Sequence, residues 1–321
     1  MRAKDVGVTV RASPAVPAHS PWDERAPGGR CWRYRALDYS FRLEVDDDLV
    51  YEMLDGYLAP FRSTDDRASS TLRVRRAHGG LFSLEVDGKA VPPVLSASDV
   101  TRSIVWAVQQ DAIRRTSSLL LLHASVAALG ASAVALPAPM DSGKTTLVAG
   151  LVRSGFSYVS DEVLAIDPLT GLVRPFQKAL RLEPPSWPLF PGLLQSLPAE
   201  MRTAEEDTPY HYVSAEALRP GAIEGQTPVS LRWVVFPSYV AGSTTRMEPI
   251  SRAEALVALV DNSYNFKRFK AEGVRVLAQV LRDADCYRLR IGDLPSAIDA
   301  VRATVEGTTS SPSANGDATA H

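Results

Sequence analysis

A chain of 321 residues, 45% apolar and 22% charged, has the composition of an ordinary globular protein, long enough for one large α/β domain and a smaller one. Its net charge of −2 supplies no general electrostatic pull toward nucleic acid or anionic membranes, so neither is an expected partner. No run approaches the ~18–20 apolar residues of a membrane span, residues 1–21 lack the apolar core of a secretory signal, and Cys31 and Cys286 read as reduced thiols without metal-ligand spacing. A cytoplasmic location is the expectation.

In chain order, residues 1–38 read as a flexible N-terminal segment, and the pattern turns regular at Tyr39. Residues 39–45 alternate like a strand, and Asp47 or Asp48 is a candidate cap for a helix through about residue 57. Residues 72–75 and 81–86 alternate as strands, with turns at Gly79-Gly80 and Asp87-Gly88, so 39–95 is predicted to form a small α+β domain. Residues 96–116 predict a helix with the apolar stripe Ile104, Val105, Val108 and Ile113, capped by Ser98 or Asp99. This helix opens a second domain over 96–305, where strands and helices alternate as in a mainly parallel or mixed sheet with covering helices. Its strands are expected at 119–128, 131–136, 157–166, 231–236 and 286–291, and its helices at 144–154, 252–261 and 266–282. Gly155 sits where a helix-ending residue of positive φ belongs. The Pro-rich, polar stretch 183–228 is too long for a plain connection and reads as an insertion, a lid or a partner-binding element. Residues 306–321 read as a flexible tail.

The chemistry concentrates in Ala138-Pro-Met-Asp-Ser-Gly-Lys-Thr-Thr-Leu, between the strand 131–136 and the helix that starts at Lys144. The phosphate-loop pattern is Gly, four residues, then Gly-Lys-Ser/Thr in that context. Gly143 lets backbone N–H groups turn toward phosphate oxygens, and the helix N-terminus adds partial positive charge. Lys144 brings a full charge to the β and γ phosphates, and the Thr145 hydroxyl is a magnesium ligand. Ala138, Asp141, Ser142, Gly143, Lys144, Thr145 and Thr146 are thus the candidate nucleotide-binding residues, with ATP and magnesium as cofactors. Ala138 stands where the pattern has glycine, a change that costs energy only if the position needs φ > 0. Two further features flank the loop: His123 in the strand before it, and Asp161-Glu162 ending the strand after its helix. A strand-borne acidic pair beside a phosphate loop suits phosphoryl transfer, one carboxylate holding magnesium and the other accepting a hydroxyl proton.

Residues 121–166 resemble the HPr serine kinase/phosphorylase family, and more closely its shorter HPr kinase-like relatives. The resemblance rests on Leu122-His123-Ala124, on the loop ending Ser142-Gly143-Lys144-Thr145, on Arg153-Ser154-Gly155 and on Asp161-Glu162. The run 286–294 is also similar to the relatives' final strand and turn. This implies a P-loop kinase domain of HPr kinase/PEP carboxykinase type behind the small α+β domain. It implies Asp161 as the catalytic base, Glu162 as the second magnesium ligand beside Thr145 (the two roles being exchangeable), and His123 near the γ phosphate or Asp161. The acceptor it implies is a Ser or Thr of a peptide or protein, a natural-product precursor peptide among the candidates, and it leaves a homo-oligomer open. The long Gly-Arg-Asn signature of the bifunctional enzymes is missing, so neither the reverse reaction nor HPr itself carries over. A small-molecule kinase and a non-catalytic nucleotide-binding module are the alternatives. Weaker candidates are Lys267, Arg268 and Lys270, Arg174 and Lys178, and the aromatics Trp187 and Phe190.

Overall fold

The computed structural model describes residues 24–26, 29–140, 142–202 and 210–309; these form a mixed α/β structure with sheets of mixed strand orientation and flanking helices. The first sheet has six strands in sequence order: β1 (Glu24–Ala26), β2 (Gly29–Ala36), β3 (Tyr39–Val45), β4 (Ser70–Arg76), β5 (Phe82–Val86) and β6 (Lys89–Leu95). Neighbours run antiparallel except β3 and β4, which are parallel because α1 (Asp48–Leu58) carries the chain back between them. Phe41 and Leu43 of β3 face the apolar sides of α1 and α2 (Ala97–Arg115). Trp32, Tyr34 and Ala36 complete that buried face, so β2 pairs with β3 over its whole length. The expectation of a flexible segment reaching residue 38 is therefore corrected for residues 29–36, while residues 1–23 and 310–321 lie outside the described part. Asp47 caps α1 by accepting the Val50 N–H at 3.0 Å. Ser96, rather than Ser98 or Asp99, caps α2, accepting the Asp99 N–H at 3.2 Å and leaving the Asp99 carboxylate in the positive first turn.

The second sheet has eight strands. An antiparallel hairpin of β7 (Leu120–Leu129) and β8 (Ser132–Pro137) turns at Gly130, whose φ is 59°. Outside β7 lie β9 (Ser157–Ser160), β10 (Val163–Ile166) and β11 (Val173–Arg174). A separate two-stranded ribbon joins β12 (Leu180–Leu182) to β13 (His211–Val213). On the other side of β8 follow β14 (Ser230–Tyr239), parallel to it, and then, past β15 (Arg246–Pro249) in sequence, β16 (Asp285–Ile291), parallel to β14; β15 closes the edge antiparallel to β16.

One face of this sheet packs against α3 (Lys144–Arg153), in a core continuous with that of the N-terminal domain. That core also takes in α4 (Ala199–Arg202) and α5 (Ala215–Leu218), single turns of the 183–228 stretch. The opposite face packs against α6 (Arg252–Asp261) and, after the short α7 (Phe266–Phe269), against α8 (Ala271–Arg282). The final helix, α9 (Leu294–Thr309), returns to the α3 side through Ala297, Val301 and Val305 and runs past the boundary expected at 305. Cover on both faces explains why β7 reads as an almost unbroken apolar run.

Three other expectations change. The strand 157–166 is split into β9 and β10 at Asp161-Glu162, and the helix 266–282 is split at Lys270, whose φ is 49°. The 183–228 stretch, apart from residues 203–209 outside the described part, buries Phe190, Leu193, Met201 and Tyr212 and is built into the core rather than hinged over it. Cys31 and Cys286 are buried and free, and no helix among the described residues is long and apolar enough to cross a membrane.

The ends of β14 and β16 are locked by a close backbone approach. A Cβ placed on Gly292 would lie 1.8 Å from the Ser243 carbonyl oxygen. Gly292→Ala must push the β14–β15 turn away, an overpacking cost of roughly 1–3 kcal/mol. Urea unfolding should show a lower midpoint for the variant; an unchanged midpoint would contradict the approach.

Candidate active site

The loop after β8 is closed by its own side chains. Lys144 is buried, and its Nζ donates to the Pro139 carbonyl at 2.5 Å; the Ser142 hydroxyl donates to the same oxygen at 2.8 Å. Gly143 caps α3 at φ 86°, ψ 9°, a left-handed conformation that glycine adopts without a Cβ penalty. Ala138 needs no such conformation: among the described residues the non-glycine positions with positive φ are Leu37, Asp87, Glu162 and Lys270. Alanine is therefore unstrained where the pattern has glycine. Thr146 turns toward the 184–189 turn, its hydroxyl 2.6 Å from that of Ser186. Asp141 lies outside the described residues.

Behind the loop sits a sealed carboxylate. Asp161 is 1% exposed and takes hydrogen bonds from the Ser125 hydroxyl at 2.6 Å and the Thr145 hydroxyl at 3.1 Å. Its other oxygen pairs with Lys178 Nζ at 3.5 Å, and Lys178 is itself buried and donates to the Ala179 carbonyl at 3.2 Å. Low-dielectric surroundings make each of these contacts strong and make the loss of any partner costly.

Glu162 faces the open side. Its Oε1 lies 3.3 Å from His123 Nε2 and 3.5 Å from the Tyr264 hydroxyl, and the two rings pack with centroids 5.7 Å apart. Burial works to raise the Glu162 pKa, but the His123 hydrogen bond and the charges of Lys178, His123 and Lys144 outweigh it and bring it down to about 2. Burial and the Glu162 charge push the Tyr264 phenol well above its usual range.

Adjacent residues in a straight strand point to opposite faces, which would separate Asp161 from Glu162. The break between β9 and β10 prevents this: Glu162 takes φ 96°, a costly conformation for a residue with a Cβ, and both carboxylates come within reach of the Lys178 charge. Across the break, β7 presents His123 and Ser125 two residues apart on one face, one meeting Glu162 and the other Asp161.

His123 thus joins Glu162, not Asp161, and the loop, Asp161, Glu162 and His123 are brought together. Lys178, only a weak candidate from the sequence, is a central partner. Ser125 and Tyr264 were not singled out; the two-residue spacing of Ser125 from His123 was the available signal, whereas Tyr264 is brought in by a distant segment pinned to β7 through Asn265. Arg174 pairs with Asp167 beyond the far end of β10. Lys267, Arg268 and Lys270 are exposed, from three residues past Tyr264 onward. Trp187 packs on His211, and Phe190 is buried. No three His, Cys, Asp or Glu among the described residues form a ready metal cage. The Thr145 hydroxyl beside the Asp161 carboxylate is a donor set that fits magnesium, an ion commonly held by one or two carboxylates together with substrate phosphates. No protein-family model matches the chain, and the search of curated proteins gives no match.

Lys178→Met leaves the Asp161 charge buried without its cation, and should cost ~3–5 kcal/mol of folding stability. Adding Asp161→Asn should return part of the loss, and urea titrations of the single and double variants check this through the sign of their coupling.

The lowered Glu162 pKa stabilises the folded state above the ordinary carboxylate value of ~4.3, and that contribution is lost as pH falls toward about 2. Wild-type stability should therefore fall more steeply than that of Glu162→Gln from pH ~4.5 to ~2. Parallel denaturation curves through this window would show the carboxylate to be unperturbed.

Proposed function

We propose that this chain is an ATP-dependent phosphotransferase, with a P-loop kinase domain of HPr kinase/PEP carboxykinase type, whose acceptor is a Ser or Thr hydroxyl of a peptide or protein. The observation that carries the reading is the 3.1 Å contact between Thr145 and Asp161, one residue after Lys144 and beside a second, reachable carboxylate. A plain anion site at a helix end has no use for two carboxylates. A site for magnesium nucleotide and a hydroxyl acceptor does.

The two carboxylates differ in access, and that difference supports their division of labour. Asp161, sealed and bonded to Thr145, is suited to hold magnesium together with the nucleotide phosphates. The ion supplies charge neutralisation at the β and γ phosphates. Glu162 and His123, on the open side, are suited to receive the proton of the acceptor hydroxyl, which reverses the roles first carried over from the family. In the transfer, the acceptor oxygen bonds to the γ phosphorus, the bond from that phosphorus to the β–γ bridging oxygen breaks to leave ADP, and the proton passes to the Glu162–His123 pair. The transition state is loose, with little bonding to the incoming oxygen, so the acceptor proton need leave only late. Lys144 leaves the Pro139 carbonyl for the phosphates, and the backbone N–H groups around Gly143 line the loop.

Calorimetry with magnesium-ATP and transfer of labelled γ phosphate test the reading together. Lys144→Ala should abolish measurable ATP binding. Glu162→Gln should lower transfer by ~10²–10⁴-fold while leaving ATP affinity close to wild type, and Asp161→Asn should weaken the magnesium dependence of binding. Equal ATP affinity in wild type and Lys144→Ala would sink the phosphate-loop assignment. A wild type that binds ATP but labels no peptide, protein or small hydroxyl compound across a broad panel would make the chain a nucleotide-binding module.

A further inference from the structure

The residues proposed above serve phosphates, a cation and an acceptor hydroxyl; none of them is assigned to a nucleobase. The carboxylates lie on the β7 side of the loop, through Ser125 and the β9–β10 break. A nucleotide whose γ phosphate points that way must extend its nucleoside toward the other flank of β8, where β14 runs parallel. Ligands of such sheets sit outside the carboxyl ends of parallel strands, and here those ends belong to β8, β14 and β16.

The register shows what waits there. Val234 lies opposite Ala135, which sets Phe236 beside Pro137, the last residue of β8. Strand β14 continues for residues 237–239, roughly 10 Å more, paired among the described strands with β16 alone. Its other edge therefore pairs with no described strand where it passes the phosphate loop. Tyr239 ends this extension: a Cβ placed on Gly143 would be 3.7 Å from the Tyr239 Cβ, yet Tyr239 is 56% exposed. Val240 next to it and Met140 in the loop are 44% and 77% exposed, so three large apolar side chains crowd the rim of a polar site.

This rim is rigid. The Val240 N–H donates to the Ile291 carbonyl at 2.9 Å, and the Gly292 N–H donates to the Thr245 hydroxyl at 3.0 Å. The same turn is held by the close approach of Gly292 to Ser243. An aromatic ring presented by a braced strand end loses little freedom when a flat ligand covers it.

We propose that Tyr239, flanked by Val240 and Met140, is the stacking platform for the purine ring of the nucleoside triphosphate; this rests on the phosphate-loop reading of the preceding section. Every purine has a π face, so stacking alone accepts adenine and guanine alike, and the platform sets base affinity rather than base identity.

Magnesium tripolyphosphate, which has the phosphates without the base, separates this proposal from the reading beneath it. Calorimetry should show Tyr239→Ser weakening ATP roughly 5- to 30-fold while tripolyphosphate affinity is retained, with Tyr239→Phe close to wild type for both. Photolabelling of wild type with 8-azido-ATP should place the label on a peptide containing residues 239–243 or Met140, a result that does not depend on a variant folding. The platform is overturned if Tyr239→Ser binds ATP like wild type, if it loses ATP and tripolyphosphate equally, or if the label falls only on other segments. A wild type that binds tripolyphosphate but not ATP overturns the platform and leaves the phosphate loop standing. A wild type that binds neither brings down both.

Discussion

The buried carboxylate of Asp161 is the constraint around which the rest of the site is arranged. A charge at 1% exposure is tolerated only with a cation and hydrogen-bond donors in place. The partners come from separate parts of the chain: Ser125 from β7, Thr145 from the start of α3, and Lys178 from the segment leading to β12. Satisfying one carboxylate therefore docks a hairpin, a helix and a crossing segment against each other. Tyr158, wholly buried on β9, donates its hydroxyl to the Lys178 carbonyl at 2.7 Å and holds that segment from the other side.

From this point the geometry of the open half follows. With Asp161 drawn inward, Glu162 must turn out, and the strand breaks there with φ 96°. Backbone strain of this kind persists only where surrounding contacts over-determine it. Here the contacts are the Glu162 bonds to His123 and Tyr264 and the pairing of β10 with β7, in which Val163 lies opposite His123. The two acidic residues thus acquire opposite environments, one dry and cation-paired, the other reachable from solvent. Two carboxylates in unlike surroundings are what a site needs to give them unlike duties.

The sheet frames these groups, and the segments between its strands supply Lys178 and Tyr264. Parallel pairing of β14 with β8 on one side and β16 on the other points three strand ends at one rim, and both faces of the sheet are covered by helices. The parts of the 183–228 stretch that are described add a wall on the α3 side, where Ser186 meets Thr146. That stretch, polar and Pro-rich as text, hides Phe190, Met201 and Tyr212 among its polar residues. A scattered apolar minority like this has no period for a sequence reading to detect.

What the residues alone determine is local. The strand–Gly-Lys-Thr–helix succession, the alternation of β3, the bounds of α6 and the end of α3 at Gly155 all follow from short-range patterning and backbone preference, which act within a turn or a strand. Asp161, Glu162, His123 and Lys144 were legible as candidates from their residue types and neighbours, and the fold brings them together. Which carboxylate is sealed inward and which faces the solvent was not legible. That choice depends on Lys178 and Ser125 reaching Asp161 across 17 and 36 positions of chain, and on Tyr264 reaching Glu162 across 102. The harmlessness of Ala138 was likewise a matter of a backbone angle that no residue name reveals. Burial of a charge is decided by everything packed around it, and only the folded chain assembles that environment.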